Sequence, residues 1–196
     1  MLRTPGRGDV PLRTGLIAEE AALERQLGSD VWVLAGKIGE RNVPGNAKEL
    51  EQAAAFIERS MTDAGYRPVS QWYGAGGAKC RNIEAEIRGT DRRGEVAIIG
   101  AHYDSVPGSP GADDNASGVA AMLALARAFA GTRPARTSRF VAFANEEPPY
   151  FWTADMGSLV YARKCRAQGD RVAAVISLES VGFYSTSLRA SAIPRG

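Results

Sequence analysis

Three short apolar-rich runs do most to limit what this chain can fold into: residues 96–102, 138–144 and 173–178. Runs of this length between turn signals read as strands. The β-branched, nearly continuous apolar text of 96–102 suits a strand buried on both faces, and 173–178 is read as another buried strand. Helical patterns separate the three. Residues 116–130 place Val119, Met122, Leu123 and Ala126 on one side, and 155–168 form a second helix behind Pro148-Pro149. Strand and helix in alternation predict an α/β fold of three α/β/α layers, with a mixed, centrally parallel sheet.

Upstream, Leu27, Val31, Leu34 and Ile38 recur at helical spacing, and Pro44-Gly45 marks a turn. Asn46 and Glu49 have the spacing of a capping box. The helix behind them carries Leu50, Ala54, Ile57 and Met61 on one face and stops at Gly65. Residues 68–73 and 81–87 read as a hairpin across the glycine-rich turn 74–77. Residues 1–15 are expected to form a loose arm, 16–184 one domain, and 185–196 an irregular tail without strand or helix period. Because the chain stops soon after a core strand, the domain reads as incomplete at its C-terminus, through a truncated or shifted reading frame.

Composition narrows the partners. A formal net charge of +2 gives no case for nucleic acid or an acidic membrane surface. Arg133, Arg136 and Arg139 read as a solvated basic loop. No apolar run approaches the ~20 residues of a membrane span, and no apolar h-region follows Arg3 and Arg7, so the default expectation is a cytoplasmic chain. Cys80 and Cys165 lack both metal-finger spacing and a disulfide framework, and are expected to be free thiols.

Polar residues gather where the apolar runs end. His102-Tyr103-Asp104 closes the first, Asn145-Glu146-Glu147 the second and Glu179 the third; Asp113-Asp114 sit in the loop after the first. Ligands of open α/β sheets bind beyond the carboxyl ends of strands. Parallel strands would therefore bring one imidazole and several carboxylates into a shared crevice. Like charges crowded there repel unless a cation neutralises them, and a divalent metal is the simple answer. Imidazole with carboxylates suits zinc, with cobalt or manganese as alternatives. The Glu146-Glu147 pair offers one ligand and one base.

These residues carry a resemblance. AHYDSVPGSPGADDNASG (101–118), FVAFANEEP (140–148), MGSLVYA (156–162) and VISLESVGFYS (175–185) are similar to the M28 family of zinc metallopeptidases. The likeness is strongest over 96–184, and the KIGERN and GYRPVSQ segments extend it toward residue 20. It implies a zinc-exopeptidase-like fold, two zinc ions and a peptide substrate with a free N-terminus. Position by position, it implies His102 and Glu179 on the first ion, Asp114 bridging both, and Glu147 on the second. Glu146 would be the general base, and Asp104 would hold the His102 ring. It also implies a cis peptide at Asp114-Asn115.

The pattern departs in one respect. The family calls for a second histidine downstream, and this chain contains one histidine in all. The expectation is therefore an aminopeptidase by ancestry that binds one zinc weakly and hydrolyses little. Three alternatives stay open: an M20-type carboxypeptidase or amidohydrolase, which shares His-x-Asp before Val-Pro; a non-catalytic relative; and a cyclotransferase of the glutaminyl cyclase kind.

Overall fold

The structure is a computed structural model that describes residues 17–182. Helix α1 (Ala18–Val31) leads into a wider helical stretch, Trp32–Ile38, that stops at Gly39. Helix α2 (Ala47–Asp63) buries Leu50, Ala54, Ile57 and Met61, the face expected from sequence. The hairpin follows as β1 (Val69–Ala75) and β2 (Ala78–Ile87), joined through Gly76 and Gly77, both at positive φ. Next come β3 (Arg92–His102), α3 (Gly118–Phe129), β4 (Arg136–Phe143), α4 (Gly157–Gln168) and β5 (Arg171–Ser177).

The strands form one mixed sheet in the order β1-β2-β4-β3-β5. Strand β3 runs parallel to β4 and to β5, and the hairpin joins antiparallel through β2 and β4. Side chains alternate across the sheet. Ile99, Ala101, Phe140 and Ala142 enter the main core with α2 and α3, whereas Val96, Ile98 and Val141 face Tyr161 and Cys165 of α4. Helices thus lie on both faces, which gives the three layers. Cys80 and Cys165 are free and buried.

Three expectations change. Strand β5 was read as buried, yet every residue of it is exposed, Val175 by 63%. It lies at the sheet edge, and a cleft separates it from α4. Arg136 and Arg139 belong to a strand and are paired: Arg136 with Glu95, and Arg139 with Glu86 and Asp170. The Asn46 side chain does not cap α2; its amide donates to Glu40 Oε1 and Asn42 Oδ1 instead. The arm 1–15 and tail 185–196 lie outside the described residues. Among the described residues no helix is long and apolar enough to cross a membrane.

Candidate metal centre

Register brings the polar residues together. His102 pairs with Phe143 across β3 and β4, so the segments that follow, 103–105 and 144–147, leave the sheet side by side. Tyr103 N–H donates to the Phe143 carbonyl (2.9 Å) and continues the pairing past the strand end. On the other flank, Leu178 N–H donates to the Gly100 carbonyl (2.8 Å), which brings Glu179 beside His102.

The His102 ring is buried and wedged between acids. Nδ1 is 3.3 Å from Asp104 Oδ1; Nε2 is 3.0 Å from Asp114 Oδ1 and 3.3 Å from Glu179 Oε1. Burial disfavours the imidazolium, but the Asp104 and Glu179 carboxylates outweigh it, and the pKa is pushed up to about 11. Asp104 uses its other oxygen to accept the Glu147 N–H at 3.0 Å. Buried Asp104 thus holds both the imidazole and the backbone from which Glu147 projects.

Asp114 stands on a kinked turn, Ala112–Ser117, where Asp114 and Asn115 leave helical geometry and the peptide between them is cis. Asn115 is fully buried: Nδ2 donates to the Leu178 carbonyl (2.9 Å), and Oδ1 accepts Gly118 N–H (3.0 Å). This side chain ties the turn to the end of β5. Burial raises the pKa values of Asp114 and Glu147 above the usual carboxylate range, and neighbouring acids add to it. Burial also raises Glu179, but the hydrogen bond from His102 outweighs it and holds that carboxyl below the range.

His102, Asp114 and Glu147 offer ligand atoms that all lie within 4.8 Å of one another. One imidazole among hard oxygen donors fits a zinc-like divalent ion. Glu179 reaches His102 from the opposite flank, and Asp104 stands behind the ring, where it can fix its orientation. Glu146 has a different setting. Its Oε1 accepts Ser158 N–H (2.6 Å) and its Oε2 accepts the Ser158 hydroxyl (2.7 Å), both at the start of α4. Burial pushes its carboxyl up, against the pull of Ser158. Glu146, Glu147, His102, Asp114 and Glu179 all line one cleft of about 1050 Å³, whose far wall is Tyr161, Val175 and Ile176.

Sequence reading named Asn115 only for its peptide bond and noted Ser158 and Arg41 only within family-like segments, without the contacts they make. Arg41 is fully buried and reaches carbonyls on both sides of the loop that precedes Asp114. An arginine held by backbone carbonyls leaves no pairing signal in the text. Ser158, two residues after Met156 at the head of a helical pattern, was the one readable hint.

Residues 82–193 match the family described as Peptidase family M28. The chain is 38% identical to the uncharacterized protein YfbL of Escherichia coli over 150 residues, which are 72% of this chain and 45% of that one. It is 47% identical to aminopeptidase YwaD of Bacillus subtilis over 53 residues, 27% of this chain and 12% of that one. The chain therefore spans less than half the length of these curated relatives. A solved glutaminyl cyclase from Bacteroides thetaiotaomicron, bound to N-acetylhistamine, superposes with a TM-score of 0.64 at 21% identity, over 83% of this chain and 62% of that one. At that identity the likeness speaks for the fold alone.

Proposed function

Because this chain belongs to peptidase family M28, we propose that its acidic cleft is a zinc-dependent aminopeptidase site acting on peptides with a free N-terminus. One observation carries this reading: His102, Asp114 and Glu147 converge within 4.8 Å while Glu146, held apart by Ser158, lines the same cleft. Three residues could hold an ion between them, and a fourth residue, the Glu146 carboxylate, is left for proton transfer. The aminopeptidase relative YwaD supports hydrolysis.

His102, Asp114, Glu147 and Glu179 would hold zinc, which supplies an acidified water and polarises the scissile carbonyl. Asp104 orients the His102 ring through Nδ1. Glu146 takes a proton from the attacking water and returns it to the departing amine. Its raised pKa suits that task, since a base works best when its pKa approaches the working pH. Tyr161, Val175 and Ile176 give the same cleft an apolar wall.

The chain contains one histidine. A second ion that shared Asp114 would take only carboxylates from this chain, so we propose that the chain binds one zinc and that its own hydrolysis is slow. Calorimetric titration with zinc, beside hydrolysis of amino-acid p-nitroanilides, tests both parts. The expected result is one site that disappears in His102→Ala. Turnover should be low and fall by roughly 100-fold or more in Glu146→Gln. Two tight ions would overturn the single-ion reading, and full turnover in Glu146→Gln would remove the base.

A further inference from the structure

Arg41 lies outside the acidic cleft but reaches the backbone that carries two of its ligands. Its side chain is fully buried, and its fork is spent on carbonyls. Nε donates to Tyr103 O at 2.6 Å, between His102 and Asp104 in the chain. Nη1 donates to Gly39 O (3.0 Å) and to Pro110 O; Nη2 donates to Gly111 O (3.0 Å). The Arg41 backbone adds two bonds, N–H to Ser105 Oγ (3.1 Å) and carbonyl from Ser105 N–H (3.0 Å).

The two ends of the 103–111 loop are thus fastened to one cation. Gly111, at φ +57°, turns so tightly that a Cβ there would lie 2.5 Å from Asp114 O and 2.7 Å from Ser105 Cβ. Its carbonyl also accepts Ala116 N–H (3.0 Å), so the turn bearing Asp114 closes on the atom that Arg41 holds. Burial pulls the guanidinium pKa down to about 10, with the Asp104 and Asp114 charges opposing. The group therefore stays cationic at neutral pH and offsets part of the negative charge gathered in the cleft.

We propose that Arg41 is a positioning residue for the metal centre: its planar fork fixes the Pro110–Gly111 turn against Tyr103 and so sets Asp114 beside His102. This rests on the zinc reading given above. A lysine would keep the charge but could not span Tyr103, Pro110 and Gly111 with one rigid group.

The test uses Arg41→Met, Arg41→Lys and, as a control, Arg81→Met. Arg81 is a nearly buried arginine whose fork pairs with Glu51 and Glu58 of α2, away from the cleft. His102 is the only histidine, so its ring protons give an unambiguous NMR signature. In metal-free protein we expect these resonances to move in both Arg41 variants and to stay in Arg81→Met. Zinc affinity of the folded protein should fall by roughly 10- to 100-fold in Arg41→Met, the range seen when ligand-orienting partners are lost. Arg41→Lys should fall less. Should Arg41→Met fail to fold, Arg41→Lys decides alone. Ring resonances and zinc affinity unchanged from wild type in the folded Arg41 variants would overturn the proposal. If the wild type bound no zinc, the metal reading would fall, and the metal-free ring comparison would still decide the role of Arg41.

Discussion

At the scale of single residues, Glu146 carries a cost for its position. Its half-buried carboxyl has a raised pKa, so the folded chain holds that proton more tightly than the unfolded chain does. Stability is therefore lost as pH rises from the unfolded value, near 4.5, through the folded one. Glu146→Gln removes this loss. In metal-free protein, we expect the variant to melt a few degrees above wild type at pH 7–8, with the gap closing below about pH 4.5. Thermal melts across that range check it, and a wild type more stable at pH 8 would contradict it. The acids were legible in the sequence because carboxylates and an imidazole at the ends of apolar strands are costly without a partner. Arg41 was not legible. Its partners are carbonyls, which every residue has, and Tyr103 and Gly111 lie 62 and 70 positions away.

At the scale of elements, α4 must seat its first turn directly on the end of β4. Gly157 N–H donates to the Ala144 carbonyl (2.9 Å), and Asn82 Nδ2 donates to the Gly157 carbonyl (2.8 Å). A Cβ on Gly157 would collide with the Ala144 carbonyl and come within 2.6 Å of Asn82 Oδ1. Backbone cannot yield there as a flexible side chain could. Gly157→Ala should destabilise the fold by about 1–3 kcal/mol in urea titrations. It should also pull Ser158 off Glu146, lowering any turnover more than zinc affinity. Unchanged stability would mean that α4 has room to shift. The existence of α4 was readable from its helical pattern, and so was the alternation of strands. The exposure of β5 was not: apolar text states what a strand can bury, whereas actual burial depends on what packs against it.

At the scale of the whole molecule, the sheet ends on that exposed strand. Val172, Val175 and Ile176 are 41%, 63% and 52% exposed, and among the described residues β5 pairs on one side only, with β3. Apolar surface beside unpaired strand edges promotes association. Sedimentation of the chain should show concentration-dependent self-association, reduced in Val175→Lys. A monomer at all concentrations, with no dye binding to apolar surface, would refute this. The same topology divides the candidate metal centre unequally. His102, Asp104 and Asn145, just ahead of the glutamates, sit on the two central strands or directly at their ends, deep in the protein. Glu179 hangs from the outermost strand with half its side chain in solvent. Edge segments open locally at lower free energy than central ones. An ion held here would come and go on the side where Glu179 and Asp114 meet solvent, and because Asn115 ties the Asp114 turn to Leu178, fraying of a single border strand would loosen both carboxylates at once while His102 stayed seated.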